Sequence, residues 1–135
     1  MSYPIEDIEG IGPKYAKMLR KVGIKRTHNL LDRGASKKGR KDLAAESGID
    51  ESHILKWSNM ADLMRIRGVG EEYSELLEAA GVDTVKELRN RKPENLHKAM
   101  VESNGKRKLV RQLPGPAQVK KWVAHAKKLR PKMTY

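Results

Sequence analysis

The sequence predicts an all-α chain in which one helical unit occurs twice, the two copies packed as one compact domain. Three observations predict it. A segment near the N-terminus returns 58 residues later, apolar residues recur at helical spacing, and no stretch alternates apolar and polar residues long enough to form a strand.

The repeat pairs Ile8-Glu9-Gly10-Ile11-Gly12-Pro13-Lys14-Tyr15 with Ile66-Arg67-Gly68-Val69-Gly70-Glu71-Glu72-Tyr73. It continues through Leu19/Leu77, Gly23/Gly81, Ile24/Val82 and Leu30/Leu88. Trp57 pairs with Trp122 at an offset of 65, so the second copy holds about seven extra residues, placed in 104–118 where the register is lost. This divides the chain into a first repeat over 1–62, a second over 63–130 with a basic insertion near 104–118, and a loose C-terminus over 131–135.

Each helix has its own signal. Tyr15, Met18, Leu19 and Val22 lie at i, i+3, i+4, i+7, as do Tyr73, Leu76, Leu77 and Ala80. Gly23 and Gly81 stand where a helix-ending glycine belongs. Thr84 and Glu87 have capping-box spacing, and Thr27 is the candidate cap in copy one, where Arg26 takes the place of Thr84. Ser36 caps a helix over Lys37–Ser47 that Gly48 stops. A helix from Glu51 to Leu63 carries Ile54, Trp57 and Ala61 on one face. Its partner, Pro116 to Leu129, carries Val119, Trp122, Val123 and Ala126, with proline at the first helical position. The matched tryptophan faces predict one shared core. Leu113-Pro114-Gly115-Pro116 reads as the turn that starts the last helix.

Composition narrows the function. The 135 residues include no Cys, which removes disulfides and thiolate metal sites and fits a reducing cytoplasm. The N-terminal residues lack signal-peptide order, and no apolar run approaches the ~20 residues that span a bilayer, so no membrane association is expected. The net charge of +12 favours an anionic partner. It is unevenly spread: residues 1–62 are +3, residues 63–104 are −1, and residues 105–135 carry ten basic side chains and no acid.

The Gly-Ile-Gly and Gly-Val-Gly turns carry the most information. A turn this tight presents backbone N–H groups at the start of the next helix, where they lack intrahelical partners and sit at the positive end of the helix dipole. A phosphate oxygen suits that position. Ile11 and Val69 tuck beneath the turn. With Gly10-Ile11-Gly12-Pro13-Lys14-Tyr15-Ala16-Lys17-Met18-Leu19 and then Gly23-Ile24, the chain resembles the helix-hairpin-helix family. The whole layout is similar to a small group of bacterial proteins of unknown function that carry this unit in duplicate. The resemblance implies backbone contacts to nucleic-acid phosphates by Gly10, Ile11, Gly12 and Lys14 in copy one and by Gly68 and Gly70 in copy two. It also implies a monovalent cation at a hairpin in some members, and otherwise no cofactor.

The copies differ in charge. Lys14, Lys17 and Lys21 share one face of the first post-hairpin helix, whereas Glu71, Glu75 and Glu78 share the corresponding face of the second. Hairpin one is therefore expected to bind phosphate and hairpin two to be structural, with Arg65 and Arg67 able to reach a backbone from the other side. Lys37, Lys38, Arg40 and Lys41 put four cations at the helix end that the dipole disfavours, either a second phosphate contact or an exposed, screened start. Lys106, Arg107, Lys108, Arg111, Lys120 and Lys121 form a further basic cluster, either an electrostatic footprint or a solvated loop.

No catalytic arrangement stands out. His28, His53, His97 and His125 lack metal-ligand spacing, and no phosphate loop ending in Gly-Lys-Ser/Thr is present. Glycosylases with this hairpin place a catalytic Asp or Lys in a larger domain; Lys14 and Asp32 are here without a pocket for a base. Trp57 and Trp122 are expected to anchor cores rather than stack bases. The expected function is non-catalytic, largely sequence-independent nucleic-acid binding, DNA ahead of RNA. The alternative is a protein-interaction scaffold whose acidic helix Glu71–Glu78 docks a partner.

Overall fold

Two glycines at φ +95° and +90°, Gly10 and Gly68, set the geometry of the chain. Each is the third residue of a short tight turn, one closed by Ile11 N–H donating to Ile8 O (3.1 Å) and the other by Val69 N–H donating to Ile66 O (3.0 Å). Each also lies on the edge of an indole: a Cβ at Gly10 would stand 3.2 Å from Trp57 Nε1, and one at Gly68 3.3 Å from Trp122 Nε1. A side chain is disfavoured both by the left-handed backbone, where it is strained, and by the close indole edge.

The computed structural model describes residues 2–135. After a 3₁₀ turn over Ile5–Asp7 come α1 (Pro13–Lys21), α2 (Thr27–Gly34), α3 (Lys37–Ser47), α4 (Glu51–Leu63), α5 (Glu71–Ala79), α6 (Val85–Arg89), α7 (Pro93–Arg107) and α8 (Pro116–Lys128). Among the described residues there is no strand, only an isolated bridge between Pro4 and Arg26. The chain is all-helical and compact.

The helix ends follow from local chemistry. After α1, Gly23 N–H donates to Arg20 O and Ile24 N–H to Leu19 O, both at 3.0 Å. After α5, Gly81 N–H donates to Glu78 O (3.0 Å) and Val82 N–H to Leu77 O (2.9 Å), the same pair of bonds that closes a helix at a left-handed residue. Ser36 Oγ accepts from Gly39 N–H at 3.0 Å, and Thr84 Oγ1 from Glu87 N–H at 3.3 Å. Thr27 does not cap α2. Its hydroxyl accepts from Tyr3 N–H (3.0 Å), while Asn29 reaches back to accept from Arg26 N–H (3.1 Å).

The apolar residues form two cores, not the shared one that the tryptophan faces suggested. One gathers Leu19, Leu30, Ile54 and Trp57, and the other Leu77, Leu88, Val119 and Trp122. The division falls at the end of α4, where Met64 joins the first core and Leu63 the second. Buried Asp62 links the halves. It accepts from Arg65 Nε (2.9 Å) and Nη2 (2.7 Å), and from Val85 N–H (2.9 Å) at the start of α6. The additional residues of the second half are divided between α7, with 15 residues against 11 in α3, and the connection that follows it.

The last residues are not loose. Met133 is 7% exposed and belongs to the first core. Thr134 N–H donates to Ala35 O (2.8 Å), Tyr135 OH to Asn59 Oδ1 (2.9 Å), and Arg65 Nη2 to Arg130 O (2.9 Å). The segment after α8 thus returns across the molecule and straps the second half to the first.

The two glycines of the first hairpin separate in a stability measurement. Gly10→Ser lowers unfolding stability by about 1–2 kcal/mol or more, because φ is positive and Trp57 blocks the side chain. Gly12, at φ −84° with nothing within 4 Å of a built Cβ, tolerates the same change within ~0.5 kcal/mol. Urea denaturation of both variants checks this; equal losses contradict it.

Candidate functional site

The first hairpin is an open edge. Gly10 and Gly12 are exposed, and Gly12 is the N-cap of α1. Pro13 at the next position has no N–H, so the helix start offers the amides of Lys14 and Tyr15, which helix geometry leaves unpaired. Ile11 is only 4% exposed. Its side chain holds the turn from beneath, so any contact it makes is limited to the small part that lines the groove beside it. The Ile8 and Gly12 carbonyls accept from Ile11 and Ala16 N–H (3.1 and 2.9 Å), so a monovalent cation at this turn would share oxygens already engaged.

Lys14, Lys17 and Lys21 are exposed, and none is ion-paired among the described residues. Arg20 is engaged by Glu6. Lys17 and Lys21 border a shallow groove of about 640 Å³ whose floor is Ile11, Pro13 and Ala16. On α3, Lys37, Lys38 and Lys41 are likewise exposed and unpaired. Arg40 is not part of that surface. It is 3% exposed and donates to Gly34 O (2.9 Å), Ala35 O (3.1 Å) and Thr134 O (2.8 Å). Its charge serves the backbone turn between α2 and α3 and the C-terminal strap.

The second hairpin repeats the shape with opposite charge. Gly68 is exposed and Gly70, the N-cap of α5, is half-buried. Glu71, Glu72 and Glu75 lie with Glu9 around a hollow of about 990 Å³. Burial pushes the Glu71 carboxyl up, and the neighbouring Glu9 adds to the effect. Glu75 is raised by the same two causes in the same order, partly offset by Arg107. Lys108 and Arg111 line that hollow too, with Arg111 Nε 3.9 Å from Glu72 Oε1. Much of the basic insertion therefore sits against the acidic helix of its own repeat. Lys106 and Arg107 are exposed in the last turn of α7, where the dipole favours cations. Lys120 and Lys121 are exposed on α8, and Lys121 stands beside Arg67 and His125.

Trp57 and Trp122 are each 2% exposed and present no face for a base. Trp57 meets the Tyr15 ring edge-on at 5.0 Å, and Trp122 meets Tyr73 at 5.2 Å. His53 stacks on Trp57 at 5.4 Å, and His97 Nε2 lies 3.0 Å from Pro114 O. His125 differs, because its Nδ1 accepts the Arg67 N–H at 3.1 Å. Sequence order gives no sign of that bond.

The acidic hollow has a measurable cost. A carboxyl whose pKa is raised on folding favours the folded state in its protonated form, and that contribution is lost as pH rises through the folded value. Glu75→Gln therefore raises the thermal unfolding midpoint at pH 7, and the gain shrinks as pH falls into the ordinary carboxylate range near ~4. An absent gain, or one independent of pH, contradicts the assignment.

No curated protein and no solved structure matches the chain. A family model described as "Domain of unknown function (DUF4332)" matches residues 9–129, and the chain belongs to that family.

Proposed function

We propose that the chain consists of two tandem helix-hairpin-helix repeats and is a non-catalytic nucleic-acid-binding protein that grips backbone phosphates with its first hairpin and the lysines of α1, without reading base sequence. The observation that carries this reading is Gly12. Nothing in the fold requires a glycine there, since its backbone is extended and no atom would meet a Cβ within 4 Å. Ser, Asp or Asn would cap α1 better. A bare backbone at this point serves something that approaches from outside, and the unpaired amides beside it are donors suited to a phosphate oxygen.

The charge around it agrees. Lys14, Lys17 and Lys21 flank the turn without carboxylate partners among the described residues, and Lys37, Lys38 and Lys41 extend the same polarity on α3, which packs beside α1. Contacts of this kind go to phosphates, which position a protein and carry no sequence information. DNA is placed ahead of RNA. The protein-scaffold alternative draws on the acidic surface of α5, which a polyanion avoids.

Labelled duplex DNA titrated at several salt concentrations tests the reading. Neutralising ~4–6 phosphates gives a log–log salt slope of roughly −4 to −5. Gly12→Thr, which keeps a capping residue but fills the approach, lowers affinity, and Lys14→Glu with Lys17→Glu lowers both affinity and slope. Absence of binding at low salt removes the reading in favour of the scaffold. Equal binding by the folded variants removes the hairpin from the mechanism.

A further inference from the structure

Two exposed cations of the second repeat, Arg67 and Lys121, share a recess beside hairpin two that does not include its acidic helix. Arg67, Gln118, Lys121 and His125 line a recess of about 820 Å³ against the edge of Trp122 and Ala117, and among the described residues no carboxylate lines it. Two permanent cations and an amide donor thus face a space large enough for a phosphate and what it is attached to. The fourth polar group is oriented. Because His125 Nδ1 accepts the Arg67 N–H at 3.1 Å, the neutral ring carries its proton on Nε2 and presents a donor.

Comparison of the repeats shows that this recess is not a by-product of the shared shape. At the offset of 58, Arg67 stands where the first copy has Glu9. At the offset of 65, Gly115 replaces Asp50, Pro116 replaces Glu51 and His125 replaces Met60. Three acidic positions have thus become neutral or basic, and a methionine has become a hydrogen-bonded imidazole. The post-hairpin helices reverse the other way, from the lysines of α1 to the glutamates of α5.

The geometry points to a second phosphate site, held by Arg67, Lys121 and His125 Nε2–H and floored by Trp122, on the face of hairpin two opposite its acidic helix. The phosphate is supplied either by the nucleic-acid backbone, in which case the site deepens the function proposed above and gives the protein a second grip, or by a free mononucleotide. A guanidinium fork, an ammonium and an imidazole donor together match the several oxygens of one phosphate.

The test follows the His125 ring by nitrogen-15 NMR and the Trp122 indole signal in the full chain, with inorganic phosphate, adenosine 5′-monophosphate, adenosine and a 20-base-pair duplex as probes. The phosphate-bearing probes are expected to shift both signals and adenosine to leave them. Arg67→Ala with Lys121→Ala, both exposed positions, abolishes the response to the mononucleotide and reduces the salt slope for duplex by about 2. A His125 response to the mononucleotide with none to duplex at any salt supports the site with a free nucleotide as its ligand and removes only the second grip, since binding by the first hairpin is read separately from the duplex titration of the Gly12 and Lys14 variants. Failure of every phosphate-bearing probe to move His125, or a double variant that responds like wild type, overturns the site.

Discussion

A glycine held at positive φ against the edge of a tryptophan is the constraint on which the rest of this molecule depends. It occurs at Gly10 on Trp57 and at Gly68 on Trp122. The tryptophan belongs to the last long helix of each half, α4 or α8, so the contact ties the hairpin to an element about fifty residues further along. The turn is thereby fixed from beneath by Ile11 or Val69 and from the side by the indole. What remains open is the outer edge, Gly12 or Gly70, together with the first amides of the next helix. A rigid turn that exposes unpaired donors loses little freedom when an anion arrives, which is the condition for useful affinity from few contacts.

Given one shape used twice, charge decides what each copy does. The first half puts lysines on α1 and an acid, Glu9, before the turn; the second puts glutamates on α5 and Arg67 before the turn. Glu9 lies with Glu71 and Glu75, so the acids of both halves meet in one hollow, where burial and mutual repulsion keep Glu71 and Glu75 harder to ionise than usual. Lys108 and Arg111 line the same hollow, and Arg107 and Lys56 offset part of the repulsion at Glu75. The overall charge of +12 therefore overstates the basic surface offered to a partner. Among the exposed cations outside this arrangement, Lys14, Lys17, Lys21, Lys37, Lys38 and Lys41 gather on α1 and the adjacent α3, and Lys121 shares a recess with Arg67.

Local chemistry made most of the elements legible in the sequence. Ser36, Gly48, Pro116, Gly23 and Gly81 bound their helices where capping rules put them, because a cap acts within four residues. Long-range contacts were not legible. Arg40 looked like one more lysine-like cation in a basic run, yet it bonds a carbonyl 94 residues away. Met133 and Tyr135 looked like a frayed end for the same reason: a strap is defined by what it crosses, and periodicity carries no trace of that. The place of Ile11 beneath the turn was legible, because a 4% exposed apolar residue between two turn glycines has only the core to pack against. The recess at Arg67 and His125 had its signals in the differences between copies, Glu9/Arg67 and Met60/His125 among them, which gain meaning only once His125 of α8 is found hydrogen-bonded to the second turn.

The central claim is that the first hairpin meets phosphate through its backbone. Amide chemical shifts of the full chain, recorded as duplex DNA is added at low salt, address that contact directly. The account predicts that the largest changes fall on Gly12, Lys14 and Tyr15, with Glu71 and Glu72 at the equivalent start of α5 little affected. Saturable binding that leaves the Gly12, Lys14 and Tyr15 amides unmoved would contradict it.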